Sequence, residues 1–306
     1  MIKDMLGRDA VVSVKTAREI FDKNFNILPL QSEDISITSA AGRIITKDIV
    51  SPVDLPDFNR SSMDGYAVRA QDTFGATESL PAYLQIIGEV LMGEEPGVVI
   101  NKGTAAKIST GGMLPKGSDA VAILEHAQAI DKNSIEALYS VAPGENVVQV
   151  GEDIKKGEAL VKKGHKIRPQ DIGAFAGIGI DRVAVYAKPK VAVITTGNEI
   201  IDIKEDSRFG CVRDINSYYL STVINNDGGI PVRKGISKDD YSQLRRMIEE
   251  SLSGADVVVL SGGSSVGARD LTAKVINDIG KPGVLVHGIS IKPGKPTIIG
   301  VVNNKP

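Results

Sequence analysis

A single cysteine, Cys211, stands in a chain of 306 residues, which excludes an internal disulfide and any metal site built from several thiolates. Such sparing use of cysteine fits a reducing compartment. Tryptophan is absent and aromatics make up only 4%, leaving little material for stacking on bases or sugars. An excess of one charge is missing as well. Thirty-six basic and 38 acidic residues give a formal net charge of -2, so no basic field exists to hold a nucleic acid nonspecifically. No apolar run approaches the ~18 residues of a membrane-spanning helix, and the stretch from Met1 to Gly7 lacks the continuous apolar run of a signal peptide. These absences together predict a cytoplasmic chain with no membrane and no nucleic-acid partner.

What is present is enough for a substantial core. Hydrophobic residues make up 42% and charged residues 24%, and the length suggests two or three domains. Val14, Ala17, Ile20 and Phe21 form a short helical stripe over 14–24, and residues 35–50 read as a strand and turn. Ser51-Pro52-Val53-Asp54-Leu55-Pro56 is a stiff, turn-rich start to a new region. From 57 to about 144 the texture is β: Tyr83–Ile87, Ala105–Ile108, Ala120–Leu124 and Ser134–Leu138 alternate with turn residues, as in a small antiparallel domain. Pro169 to Gly177 reads as a helix and Val183–Tyr186 as a strand. The expected domains are therefore 1–50 with 145–187 as an elongated discontinuous domain, 51–144 inserted into it, and 188–306 as an α/β domain.

In that last region strands (Val191–Thr195, Ile230–Arg233, Val257–Leu260, Val284–Ile291, Thr297–Val302) alternate with helices over Asp214–Asn226, Asp239–Leu252 and Asp270–Ile279. The rhythm predicts a parallel sheet covered on both faces, with ligands beyond the carboxyl ends of its strands. The expected fold class is thus multidomain α/β plus β.

Five segments hold the candidate chemistry. Asp57 to Ala67 mixes polar and turn residues without a period; it is either a surface loop turning at Asp64-Gly65 or a rigid loop offering Asp64 as an acceptor or ligand. Ser109-Thr110-Gly111-Gly112 follows a strand and is either an anion-binding turn or a plain connection. Thr195-Thr196-Gly197-Asn198-Glu199 places Glu199 at the end of the first parallel strand, as a ligand-facing or a merely solvated carboxylate. Ser261-Gly262-Gly263-Ser264-Ser265-Val266-Gly267-Ala268-Arg269-Asp270 lies between strand and helix, where backbone and hydroxyl donors suit a phosphate, and Asp270 could simply cap the helix. It is neither a P-loop nor a GxGxxG fingerprint. Lys292-Pro293-Gly294-Lys295-Pro296 stiffens two lysines into a candidate oxyanion site. Asp239, at a helix start, reads first as a dipole partner. Carboxylates beside a phosphate repel unless a cation intervenes, so the region predicts a phosphorylated small molecule with Mg²⁺.

In this order, Asp64-Gly65-Tyr66-Ala67, Ser109-Thr110-Gly111, Gly151-Glu152-Asp153, Thr196-Gly197-Asn198-Glu199, Ser261 to Gly267 and Lys292 to Pro296 resemble the molybdopterin molybdenumtransferase family, that is, bacterial MoeA and the E domain of gephyrin. The resemblance implies an elongated homodimer whose α/β domain looks like a pterin-binding (MogA-like) fold. It implies a reaction of adenylylated molybdopterin and molybdate that yields the molybdenum cofactor and AMP. Carried over, Glu199, Asp239 and Asp270 would line the pocket as catalytic residues, with Glu199 and Asp270 holding Mg²⁺. Asp64 would join the catalytic set and Thr110 the binding set, both from the other subunit. Ser261, Gly262, Gly263, Ser264, Ser265 and Gly267 would cradle phosphate, and Lys292 and Lys295 would hold molybdate. Asp153 would be structural. Partners beyond the substrates would be the adenylyltransferase or recipient molybdoenzymes. Family members usually continue into a Gly-x-Pro-Gly-Asn-Pro loop, a helix and a β-barrel domain, expected to be absent from a chain that stops at Pro306. Gly288 stands where a basic residue is often found, and Asn198 resembles the gephyrin version. Two other readings stay open: a non-catalytic pterin- or molybdate-binding scaffold, and the related molybdopterin adenylyltransferase.

Overall fold

The computed structural model describes residues 11–26, 30–206, 209–262 and 266–306, with the side chains of 266–270 outside that description. Two compact units emerge: Asp34–Val185, and the residues before Asp34 together with Tyr186–Pro306. Helix α1 (Val14–Asn24) starts where the Ser13 side chain accepts the Thr16 N–H. Its buried Ala17 packs with Val286 and Ile289. The sequence reading grouped this helix with 145–187; its apolar stripe instead finds its cover at the other end of the chain.

Within Asp34–Val185, six strands form one sheet: β1 (Gly65–Val68), β2 (Ala82–Val90), β3 (Thr104–Ile108), β4 (Ala120–Ile123), β5 (Ala127–Ala129) and β6 (Ser134–Ala137). They lie in the order β4-β1-β3-β2-β6-β5. The expected all-antiparallel arrangement needs correction, because β2 and β3 run parallel, with Gln85 opposite Thr104. Successive β1 side chains serve different cores: Tyr66 and Val68 join one cluster, Ala67 the other. Alternation across a pleat produces that split, and it fixes the register of β1. Gly65 is required here, since a Cβ would run into the Ala122 carbonyl. Gly65 is therefore the start of a buried strand, and the exposed Asp64 is the residue that leads into it. The rest of this unit gathers around Phe175, on helix α2 (Pro169–Gly177), with Ile45, Ile167, Val183 and Val185. Pro169 at the first helical turn suits the helix start. The buried Asp171 accepts the Arg168 N–H at 2.8 Å, the Arg168 guanidinium at 2.9 and 3.1 Å, and a His165 contact at 2.6 Å.

The other unit carries a parallel sheet of β7 (Lys190–Thr196), β8 (Ile230–Ser237) and β9 (Val257–Gly262), in the order β8-β7-β9. Val191 through Thr196 are all buried, so both faces of β7 are covered. Helices α3 (Asn216–Asn226), α4 (Tyr241–Gly254) and α5 (Val266–Ile279) supply cover. Leu244 and Ile248 of α4 and Val275 of α5 pack with Ile194. The last two strands, β10 (Pro282–His287) and β11 (Ile298–Val302), do not extend this sheet as expected; they pair antiparallel with each other. A tight return through Lys292–Pro296 joins neighbouring antiparallel strands, whereas a parallel pair would need a long crossover. Strand β9 has an almost wholly apolar sequence yet is only half-buried along Val257–Ser261. Among the described residues no helix is long and apolar enough to cross a membrane.

Candidate functional site

In the β unit the site begins with Asp64, just before β1. Its carboxylate accepts the Thr110 N–H at 2.7 Å and the Thr110 hydroxyl at 3.0 Å. These bonds, the backbone one foremost, hold the Asp64 carboxyl below the ordinary carboxylate range although it is exposed to solvent. Two sequence questions close together. Asp64 is an oriented acceptor, and Ser109–Gly112 is no anion nest. The Gly111 N–H goes to the Ser61 carbonyl and the Gly112 N–H to that of Ser109. The turn's donors are already engaged in fixing Asp64 and its neighbours.

In the α/β unit the carboxyl ends of the strands do the assembling. Thr196 lies between Ser237 of β8 and Gly262 of β9 in one row across the sheet. Gly262 adopts φ +123°, and a Cβ there would strike the Thr196 carbonyl, so β9 can approach only as glycine. Beyond this row the Thr196–Glu199 and Ser237–Asp239 segments are tied together. The Gly197 N–H donates to Ser237 O at 3.1 Å, the Asp239 N–H to Asn198 Oδ1 at 3.3 Å, and Lys238 Nζ to Asn198 O at 3.4 Å. Glu199 and Asp239 are both exposed on these joined loops. Asp239 is not the helix cap; Asp240 takes that task, accepting the Gln243 N–H at 2.7 Å. Asp270 does not cap either, because α5 already starts at Val266, with Gly267 inside it. The Asp270 side chain, and Gly263, Ser264 and Ser265 altogether, lie outside the described residues.

A cleft of about 860 Å³ opens beside β9. Its polar lining comes from Thr196, Asn216, Ser261, Gly262, Thr272, Thr297 and Lys305, and Pro293, Gly294 and Pro296 form part of the wall. The proline-braced segment is fastened: the Thr297 N–H and hydroxyl both donate to Gly294 O, and the Ile289 N–H to Lys295 O. Lys292 is exposed and Lys295 half-buried, and neither has a carboxylate partner among the described residues. The structure therefore brings Ser261, Gly262 and the Lys-Pro-Gly-Lys-Pro backbone to one cleft. Glu199, Asp239 and the two lysine side chains are not part of its lining. The sequence singled out Thr196 within its segment but not the cleft-lining Asn216 or the buried Asp214. The run Asp214-Ile215-Asn216 at the start of a predicted helix was the available signal, and it reads as ordinary capping.

Among the described residues no group of three or more His, Cys, Asp or Glu side chains could hold a metal ion. Mg²⁺ asks for less, since it takes one or two carboxylates and fills its shell with water and phosphate oxygens. Glu199 and Asp239 are exposed carboxylates on loops joined through Asn198.

Fold and site thus define a small-molecule-binding α/β unit, with its ligand edge at the carboxyl ends of a parallel sheet, joined to a mixed β unit. Residues 12–179 match the family described as the MoeA N-terminal region (domains I and II), and residues 192–305 match the probable molybdopterin binding domain. A Methanocaldococcus jannaschii protein named for molybdopterin biosynthesis is 39% identical over 94% of this chain and 70% of its own length. The molybdopterin molybdenumtransferase of Haemophilus influenzae is 32% identical, over 90% of this chain and 67% of its own. A molybdopterin biosynthesis MoeA protein of Pyrococcus horikosii, a solved structure, superposes with a TM-score of 0.82 at 44% identity, over 97% of this chain and 73% of that one. The chain belongs to the MoeA family, the molybdopterin molybdenumtransferases.

Proposed function

We propose that this chain is an enzyme of molybdenum cofactor biosynthesis that joins molybdate to adenylylated molybdopterin and releases AMP. The observation that carries the reading is the row Ser237–Thr196–Gly262, whose Thr196 and Gly262 line a cleft and whose Thr196 and Ser237 lead into two loops tied to each other. A nucleotide-sized ligand fits a cleft of about 860 Å³. Ser261 and the backbone around Gly262 supply donors for phosphate, Glu199 and Asp270 hold Mg²⁺ with Asp239 as a further catalytic carboxylate, and Lys292 and Lys295 attract molybdate as a dianionic substrate. Bound Mg²⁺ would neutralise phosphate charge during AMP departure. Asp64, kept ionised by Thr110, serves as an oriented acceptor. The family resemblance supports a homodimer in which Asp64 and Thr110 of the partner subunit complete the cleft. It also supports a cytoplasmic setting, with the adenylyltransferase upstream and recipient molybdoenzymes downstream. The match over residues 12–179 favours this reading over a lone adenylyltransferase domain.

Purified protein with adenylylated molybdopterin, molybdate and Mg²⁺ should release AMP as cofactor forms. Glu199→Ala and Asp270→Ala should abolish Mg²⁺-dependent release while leaving the fold intact. Normal turnover in both variants overturns the assigned roles, and tight binding without AMP release identifies a scaffold instead.

A further inference from the structure

Three polar side chains line the cleft without a hydrogen-bond partner among the described residues: Thr196, Asn216 and Ser261. Hydroxyls can serve a phosphate, but a primary amide offers more. It presents a donor and an acceptor in one plane, which matches a heterocycle edge carrying N–H and C=O side by side. Much of the remaining wall, with Val258, Leu260, Ile276 and Ile298, is apolar and suits the face of a flat ring, and the Lys305 ammonium there is engaged by the Leu252 and Ala255 carbonyls.

Asn216 is also held in place from behind. Asp214, only 7% exposed, has its acceptor capacity directed inward. Oδ1 accepts the Thr195 hydroxyl at 3.1 Å and the Ser217 N–H at 3.0 Å, and Oδ2 accepts the Ser217 hydroxyl at 2.6 Å. Its own N–H donates to Ile201 O at 3.0 Å. Thr195 precedes the cleft-lining Thr196, and Asp214 stands two residues before Asn216. One buried carboxylate thereby ties the end of β7 to Ser217, the neighbour of Asn216 in the first turn of α3.

We propose that Asn216 reads the amide edge of the pterin ring, and that Asp214, through Thr195 and Ser217, is its positioning residue. This rests on the cleft being a molybdopterin site, and it separates ring recognition (Asn216) from phosphate recognition (Ser261 and Gly262).

The test measures equilibrium binding of molybdopterin and of AMP, separately, to the full chain and its variants. Asn216→Ala should weaken molybdopterin about tenfold, the loss of one neutral hydrogen-bonding group, and leave AMP within about twofold. Asn216→Gln should restore part of the loss. Asp214→Asn should reproduce the selective loss; because it could also unfold the unit, Thr195→Val cuts the same tie while keeping the Asp214 bonds to Ser217. That variant should give a smaller loss for molybdopterin only, seen in turnover as a raised KM with little change in kcat. Equal weakening of both ligands by Asn216→Ala, or of neither, overturns the inference and leaves the functional reading standing. A wild-type chain that binds no molybdopterin overturns both.

Discussion

Asp64 and Asp171 belong to the same unit, and the carboxyls of both are held below the ordinary carboxylate range, yet they do opposite work. Asp171 is 6% exposed and gathers Arg168, His165 and the Arg168 N–H at the start of α2, beside the Phe175 cluster. Asp64 lies at the surface, its carboxylate engaged among the described residues by Thr110. A lowered pKa alone therefore does not identify a functional group. Burial separates the two cases. A buried carboxylate with all its bonds turned inward supports the fold, whereas an exposed one kept oriented by a neighbouring turn remains available to a ligand. Asp214 repeats the first pattern in the α/β unit, whereas Glu199 there is exposed.

The sharpest way to break this comparison is to neutralise each carboxylate. Asp64→Asn should cut turnover by roughly a hundredfold or more, as loss of an oriented charged group in a site does, with the melting temperature nearly unchanged. Asp171→Ala should do the reverse. Removing the buried acceptor of the Arg168 N–H at a helix N-terminus should destabilise the unit by about 1–2 kcal/mol. Calorimetry together with an AMP-release assay reads both effects. A large melting shift in Asp64→Asn, or none in Asp171→Ala, would erase the distinction. Gly65→Ala offers a control on the strand that carries Asp64. A methyl forced against the Ala122 carbonyl should lower stability and activity together, by more than a surface change of the same size.

How much of this was legible in the sequence follows from the range of the interactions involved. Helices α1 and α2 could be bounded because their signals are local: a serine cap at Ser13 and a proline at Pro169. The β7–β8–β9 rhythm was equally readable, since buried parallel strands are nearly uniform in apolar residues. The cover for Ala17 was not readable, because Val286 and Ile289 lie at the far end of the chain. Nor was the parallel pairing of β2 with β3, or the antiparallel return of β10 and β11; pairing direction depends on connections and register rather than composition. At the cleft, Ser261 and Gly262 could be placed from their position at a strand end. Asp239 could not be freed from the capping reading until Asp240 was seen to accept the Gln243 N–H. Asn216 stayed hidden because a polar residue at a helix start is commonplace in any sequence.

The finest distinction between the two aspartates lies in pH. The Arg168 guanidinium is the main cause of Asp171's depression, with His165 and the Arg168 N–H adding to it. A folded-state value below the unfolded one means Asp171 stabilises the protein fully above the ordinary carboxylate value of about 4. That contribution fades as pH falls from there toward the folded value. Melting temperature should therefore drop less steeply between about pH 5 and pH 3 in Asp171→Asn than in the wild type, because the variant has already lost what acid would remove. Thr110→Val should leave that curve alone. It removes the hydroxyl donor but keeps the backbone one, so the Asp64 carboxyl should titrate at higher pH than in the wild type while remaining below its free value. Carboxyl carbon NMR can follow both residues at once. If Thr110→Val leaves the Asp64 titration unmoved, the hydroxyl bond has no part in keeping that carboxylate ionised, and Thr110 is left with its backbone alone.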